Sequence, residues 1–524
     1  MGVIDWISNK LSVKAIREIF VESRGLSRSI YSDSFDGEKN SGAIGPLVNY
    51  KMDYFALRSR SWKAYLDSEI AQTAINKYRK WVIGSGLKLQ ALPNKYVLEQ
   101  EGIKIDKELF QKDIENRFKV WGNSKMPCIN SEKTLNQLSS DVFLNKIIAG
   151  DVLIVLRVIK GKVKIQIIDA DHISSPLTYQ IDSKGKIADG VEYDENGKTI
   201  AYHVRDPKNF LKTQRVLAYN NGFKVAWLYK GLTYRLDDRR GLPLISAVME
   251  TLTKLERYKE ATVGSAEEVA KISYQVVHQA YSTGENPMSK QLAKSFGQDL
   301  NGPTPPVDEY GNALADKVAS TTGKQAYNNP VGAEIKPMQS GNKELYFKDF
   351  YSVNIDLVCA TLGIPPEIAM SLYRSNFSAS RAALKDWEHT LGVERDDHKE
   401  QFLMPIYNLW LYVEVLGGKI KADGLVESHK TGNEMLFQAY TECRFVGANV
   451  PHIDPLKEVK AEREKLGLSG RNLPLTTLEQ ATETLNGGES DSNMENYATE
   501  YKKASELGIE VENKRDRNDG DLVD

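Results

Sequence analysis

The sequence predicts an α+β fold, with one mixed helix-and-strand part up to about residue 235 and long helices around a polar interval after it. Three observations carry that prediction. Apolar residues recur at helical spacing from Asp53 onward. The period changes to β-branched runs at Asp151. Helical spacing then returns at Leu244 and, after one polar break, runs to Leu416.

The first segment, MGVIDWISNKLSVKAIREIF, places Ile4, Ile7 and Leu11 on one helical face that Asp5, Lys10 and Lys14 interrupt. It reads as a docking helix: the apolar core of a signal peptide is missing, and so is the sixth-position hydroxyl of a myristoylation signal. Glu22–Asn49 is rich in Ser, Gly and charge and reads as a flexible arm. A long helix is expected from Asp53 to Val82, on the stripe Leu66, Ile70, Ala74, Tyr78 and Val82. Gly84 and Gly86 stop it and lead into a short strand in LKLQ. A second amphipathic helix, KELFQKDIENRFKVWG, ends at Gly122, and a third spans Ser131 to about Ala149 with Ser131 as its cap.

DVLIVLRVIKGKVKIQIIDADHIS reads as two strands joined at Lys160-Gly161-Lys162. Short strands are expected at Gly190–Tyr193, Ile200–Val204 and Arg215–Tyr219, with turns at Ser183-Lys184-Gly185 and Glu195-Asn196-Gly197. Gly241-Leu242-Pro243 then opens a long helix, carried by Leu244, Val248, Leu252, Leu255 and Tyr258 to about Val277. Gln279–Asn342 is dominated by Gly, Pro, Ser, Thr and Asn, with one helical piece, SKQLAKSFGQDL, and extended pieces such as AEIKPM. A further helix runs from Lys343 to Leu362 with a heptad-like stripe, Tyr346, Phe350, Val353, Leu357 and Ala360. After the stop at Gly363-Ile364-Pro365-Pro366 and the connector MSLYRSNFSAS, a last long helix covers Arg381 to Leu416, interrupted near Pro405. Residues 487–524 carry eleven acidic and five basic side chains and read as a disordered or partner-dependent tail.

Composition narrows the function. The 69 basic and 71 acidic residues leave a net charge of −2, which excludes holding DNA by overall positive charge. Cys128, Cys359 and Cys443 are far apart, so neither a disulfide framework nor a thiolate zinc site is indicated. No stretch approaches the roughly 18 apolar residues of a membrane span. The nearest phosphate-loop pattern, Gly323-Lys324-Gln325, lacks the final hydroxyl and has Val318 in place of the first Gly. Gly84-Ser85-Gly86 follows a helix rather than a strand and reads as a helix stop. His172, beside Asp169 and Asp171, reads as a strand-end turn, and His389 and His398 fall on opposite faces of one helix. Glu267-Glu268 and Asp396-Asp397 read as solvated faces. No catalytic, cofactor or metal residue is assigned.

Six segments in order carry a family resemblance: LRSRSWKAYLDSEIAQTAINKYRKWVIGSGLKLQ, GDVLIVLRV, IQIIDADHIS, RRGLPLISAVMETLTKLERYKEA, LGIPPEIAMSLYRSNFSASRAALKDWE and IDPLKEVKAE. From about Tyr54 to Leu478 the chain resembles the lambda-type portal proteins of tailed bacteriophages, or a prophage-encoded copy. One departure is Asp67-Ser68, where many relatives have an Asn-Pro that breaks the first helix.

The resemblance implies a ring of about twelve subunits at one capsid vertex, closed by head-to-tail contacts, with double-stranded DNA packaged and ejected through its axis. It implies an arm (1–50), an α+β wing (51–240), a first stem helix (241–278), a clip (279–342) and a second stem helix (343–362). A tunnel-loop region (363–380), a long helix returning to the wing (381–417), a helical crown (418–486) and the acidic tail (487–524) follow. The implied partners are DNA, the terminase large subunit at the clip, major capsid and scaffolding proteins, and head-completion and tail adaptor proteins, with no membrane. The protein would sit in the virion and, during assembly, in the host cytoplasm. Tyr373, Arg374, Asn376 and Phe377 are the channel candidates, with Lys343, Lys348 and Arg381 beside them. Two other readings stay open: a head-assembly adaptor or scaffolding protein, and an ATP-driven packaging enzyme, which would need a phosphate loop.

Overall fold

A computed structural model describes residues 53–176, 185–206, 212–233, 238–276, 316–321, 324–328, 343–371, 377–448, 455–467, 474–486 and 490–507. The expected docking helix, the arm, SKQLAKSFGQDL and AEIKPM lie outside these residues. The chain forms two compact units, Met1–Ala247 with Cys359–Asp524, and Val248–Val358.

The first unit opens with α1 (Tyr54–Asp67) and α2 (Glu69–Val82) where one helix was expected. Ser68 separates them: its backbone is extended (φ −101°, ψ 116°) and its hydroxyl accepts from the Ala71 N–H. A hydroxyl that caps the second helix thus makes the break without proline. After Gly84 and Gly86, both at positive φ, comes β1 (Lys88–Ala91). Two helices follow: α3 (Lys95–Gln100), which the sequence reading omits, and α4 (Lys107–Asn123). The next helix, α5 (Leu135–Ile148), starts later than expected, because Thr134 and Gln137 form a reciprocal capping box while Ser131 sits at φ 57°.

The expected hairpin is β2 (Asp151–Ile159) with β3 (Lys162–Asp169), turned by Lys160 and Gly161 at positive φ. Next, β4 (Lys186–Ala188), β5 (Val191–Tyr193), β6 (Thr199–Arg205) and β7 (Thr213–Leu217) form an antiparallel sheet in sequence order. After the short pair β8 (Tyr219–Asn220) and β9 (Phe223–Lys224), β10 (Ala226–Lys230) takes the free edge of β2. AWLYK has no alternation because four of its five residues are buried, which hid it as a strand. A single 3-10 turn, Leu244–Ala247, ends this part of the unit.

The second unit holds α6 (Met249–Lys271), shorter at both ends than the expected 241–277. Ile272, Tyr274 and Val276 alternate with other residues, and the chain switches there to β11 (Ile272–Val276). With β12 (Asp316–Thr321) and β13 (Lys324–Asn328) it makes a sheet of order β11-β13-β12, β11 parallel and β12 antiparallel to β13. Lys324 and Val318, from the weak phosphate-loop pattern, belong to this hairpin. Then α7 (Lys343–Thr361) matches expectation, and within the unit Tyr258 of α6 stacks on Phe347 at 5.4 Å and meets Phe350 at 4.7 Å.

The first unit resumes with α8 (Pro366–Met370) and α9 (Phe377–His398), so Phe377 and Ser378 of the connector are already helical. A π turn, Lys399–Leu403, joins α9 to α10 (Met404–Leu416). Pro405 has no N–H to give the carbonyl four residues back. That carbonyl, of Gln401, instead accepts from Trp227 Nε1 at 2.6 Å, and the Gln401 side chain bonds Lys230 N–H and Asp397. The interruption foreseen at Pro405 is thus displaced upstream. Next come α11 (Leu425–Thr431), α12 (Glu434–Thr441) and β14 (Cys443–Val446), which pairs antiparallel with β1. Phe437, Tyr440 and Phe445 share one core with Phe118, Trp121 and Trp410, so the stretch read as the start of a crown lies within the first unit's core. After α13 (Pro455–Lys465) and α14 (Leu478–Asn486), Ser490–Glu506 forms α15. Over these residues the acidic stretch read as disordered or partner-dependent is helical, and its Ala, Glu, Lys and Met favour helix.

Candidate functional site

Of the seven channel candidates, Tyr373, Arg374 and Asn376 lie outside the described residues. Phe377 opens α9 and Arg381 follows one turn on, both in the first unit; Lys343 opens α7 and Lys348 is exposed on it, in the second. The ends of the connector are well defined. Gly363 at φ 75° closes the chain after α7, with Ile364 N–H bonded to Cys359 O at 3.0 Å. Pro366 starts α8, and Ser371 at φ 56° ends it.

Three long helices, α6 and α7 on either side of the polar interval in sequence and α9 after the connector, carry mixed charge. From the sequence, α6 holds four basic and five acidic residues, α7 two and three, and α9 three and five. Neighbouring charges on α6 pair off, Lys254 with Glu250 at 2.8 Å and Lys259 with Glu256 at 3.9 Å. A surface that neutralises phosphates needs an excess of cations, and none of these helices has one.

The most constrained polar cluster is one the sequence reading did not single out. Asp151 begins β2 and is fully buried. Arg240 binds it through two nitrogens, Nε to Oδ2 at 2.6 Å and Nη2 to Oδ1 at 2.9 Å. The Gly241 N–H donates to Oδ2 at 2.9 Å, and Arg58 of α1 donates from Nη2 to Oδ1 at 3.1 Å. Both guanidiniums also reach backbone carbonyls: Arg58 Nε that of Ala149, and Arg240 those of Ala170, Ile173 and Asp189. The Tyr54 ring lies 5.7 Å and 5.8 Å from the two guanidinium carbons. Burial alone raises the pKa of Asp151, but Arg240, Arg58 and the Gly241 N–H outweigh it and hold the carboxyl below its ordinary value. The backbones beneath are equally close. A Cβ on Gly150 would stand 2.6 Å from Gly241 O, and one on Gly241 2.2 Å from Gly150 O.

Four of the six quoted segments therefore meet at one carboxylate: Arg58 from the first, Gly150-Asp151 from the second, Ala170 from the third and Arg240-Gly241 from the fourth. The visible signal was an Asp at the head of an apolar run and a paired Arg before Gly-Leu-Pro. What was invisible was that they belong together.

A second buried group is His398, at the π turn. The Tyr229 hydroxyl lies 2.9 Å from its Nδ1, and the Ser139 hydroxyl meets Nε2. Burial, then the nearby charge of Lys146, lowers its pKa to about 3 against the opposing pull of Asp397, so the imidazole is neutral. Lys146 is held by Asp397 at 2.6 Å and Glu394 at 3.2 Å, so Asp397 is not simply solvated as expected. His172 is exposed in the one-turn 3-10 helix Ala170–His172 that ends β3. The three cysteines are buried and form no disulfide, and among the described residues no cluster of His, Cys, Asp or Glu could hold a metal. No helix there is long and apolar enough to cross a membrane.

Many solved structures match the chain, and three of them come from gene transfer agent particles. The chain aligns with a chain of the virion of a native gene transfer agent particle at 11% identity and TM-score 0.39, covering 82% of this chain and 92% of that one. It aligns with the neck of an empty particle of that kind, computed with C6 symmetry, at 9% identity and TM-score 0.42, covering 85% and 96%. The neck of the native particle, computed with C12 symmetry, aligns at 10% identity and TM-score 0.33, covering 72% and 91%. No curated protein matches the chain. The family model described as phage portal protein, lambda family, matches residues 43–394, about two thirds of the chain and all the segments that meet at Asp151. The chain belongs to the lambda family of phage portal proteins, a family of structural proteins and not of enzymes.

Proposed function

We propose that about twelve copies close into a ring at one capsid vertex and that duplex DNA is packaged and ejected through its axis. The observation that carries this reading is the family match over residues 43–394. Two physical features support it. Mixed charge on α6, α7 and α9 suits a conduit, because a ring multiplies every per-chain contact and a gripping channel would stall a sliding polyanion. On α7, Phe350, Val353 and Leu357 form an exposed stripe, 43%, 64% and 56% accessible, of the kind a neighbouring copy covers.

In this reading α6 and α7 are the stem helices, and the connector with Tyr373, Arg374, Asn376 and Phe377 touches passing phosphates weakly, assisted by Lys343, Lys348 and Arg381. Residues 279–342 are the clip, which docks the terminase large subunit. Capsid, scaffolding and head-completion proteins meet other faces of the ring, in the virion and, during assembly, in the host cytoplasm.

Electron microscopy and light scattering of the purified full-length protein test the ring. The expected result is a closed ring with a central hole; a compact monomer overturns it in favour of an adaptor or scaffold. For the clip, excision must include β11, since removing β12 and β13 alone leaves an unpaired strand. Replacing residues 272–342 by a short Gly/Ser linker should leave a soluble subunit that no longer binds terminase. Retained binding refutes the clip assignment.

A further inference from the structure

The β2–β3 hairpin runs out past the core of the first unit: Arg157–Lys162 are all exposed, whereas Val152–Leu156 just before them are buried. Cross-strand partners and alternate residues share a face, so Arg157 with Lys164 and Ile159 with Lys162 lie on one side of the tip. Deeper on that side Leu153 and Val155 pack with Val191 and Tyr202, but the tip has no such cover. Arg157 and Lys164 are like charges placed directly opposite each other, which costs stability in an antiparallel pair. Residues 157–164 hold four basic side chains and no acidic one. Among the described residues no carboxylate pairs with them. Arg157 donates to Gln166 Oε1 at 3.0 Å, and Lys164 to Cys128 O at 3.1 Å and Ser131 Oγ at 3.2 Å, all neutral oxygens. A repulsive cluster around the exposed Ile159 fits a partner that brings both carboxylates and apolar side chains.

This chain holds such an element. From Asn496 to Lys503 every residue of α15 is exposed, so over two turns no side of the helix is covered. Tertiary burial supplies most of the stability of a helix this short, and α15 lacks it within its own chain. Met494, Tyr497 and Tyr501 recur at three- and four-residue steps as one exposed stripe, with Glu500 on its flank. The helix carries four acidic and two basic residues, the opposite sign to the hairpin tip. Both elements are exposed, so neither covers the other in one chain. We propose that α15 of one copy lies across the β2–β3 tip of a second copy. The Met494, Tyr497 and Tyr501 stripe then covers Ile159, and the carboxylates of α15, Glu500 among them, face Arg157, Lys162 and Lys164. The proposal rests on the ring reading only in requiring copies side by side.

The test co-expresses two full-length chains, one with Ile159→Cys and the other with Tyr497→Cys or Tyr501→Cys. The three native cysteines are buried, so background is low. Mild oxidation should give an adduct of twice the chain mass on a non-reducing gel when the two chains are made together, and none from either chain alone. Lys162→Glu on the first chain should cut the yield at least about tenfold, because it sets carboxylate against carboxylate. Glu500→Lys on the second chain should then restore most of it. Lys162 and Glu500 are exposed, so both reversals leave the fold intact, checked by circular dichroism. No adduct from either pair, or a yield indifferent to both reversals, overturns the proposal. If no adduct forms and Lys162→Glu instead weakens binding of a labelled DNA duplex, the cluster serves phosphates and the proposal fails. Light scattering on the same sample separates the two readings: rings without adduct sink the docking of α15 alone, and adduct without rings sinks only the ring.

Discussion

At Asp151 one carboxylate satisfies two guanidiniums and a backbone N–H in a site closed to water, and the chain leaves the β2 sheet toward α6 directly from that site. Removing the charge leaves buried Arg240 without its bidentate counterion and Arg58 with only its 3.4 Å pair to Asp171, a change that costs about 3–5 kcal/mol. Asp151→Asn should therefore lower the unfolding free energy by about 3 kcal/mol or more, read by urea denaturation, while Asp169→Asn on the exposed turn nearby changes little. The pH dependence is equally specific. The folded pKa of Asp151 is depressed, so its contribution is complete above the unfolded value of about 3.8 and is lost only as pH falls below it. His398 acts earlier. Its folded pKa of about 3 lies below the unfolded 6.5, so the unfolded chain binds the extra proton between those values, and stability falls as pH drops through that window. His398→Gln should flatten the acid limb between pH 6 and 4 by up to about 1.4 kcal/mol per pH unit. An unchanged slope would mean that the imidazole titrates in place.

At the scale of elements, the stripe Phe350, Val353, Leu357 and Ala360 has heptad spacing, yet it is exposed, while Phe347, Tyr351 and Val358 turn inward. If the stripe is an interface between copies, Val353→Glu should leave the subunit folded, with an unchanged circular dichroism spectrum, and shift its mass in light scattering from ring to monomer. Rings that survive it place the interface elsewhere. The stripe also shows what the sequence could tell. Periodicity located α2, α4, α5 and α9, because each buries one face, and α7, whose periodic stripe is exposed; β-branched runs located β2 and β3. It did not locate β14, whose four residues pair with a strand more than 350 positions away, nor β10, buried on both faces and so without alternation. The π turn escaped because the effect of Pro405 falls on the carbonyl of Gln401, and its partner Trp227 lies in another element. The channel candidates came from the tunnel-loop region that the resemblance implies and the cations beside it, whereas the Asp151 centre was missed because pairing across four segments has no local signature.

For the whole molecule, charge is what tests the proposed passage of DNA through a ring. Net charge is −2 over the chain and −6 within residues 487–524, so the rest carries about +4, spread over many elements. A protein that makes six to ten phosphate contacts loses about three to five orders of magnitude in affinity between 50 and 200 mM salt. A conduit must show neither the affinity nor the slope, because a ring in which every copy held one phosphate would anchor the duplex through avidity. The assembled protein should therefore bind a short duplex more weakly than about 10 µM at 150 mM salt, and its affinity should change by less than about tenfold between 50 and 200 mM. Fluorescence anisotropy with a labelled duplex, run on rings checked by microscopy, measures both numbers. Nanomolar binding with a steep salt slope would mean that cations outside α6, α7 and α9 converge on the axis, making the ring a clamp on the genome.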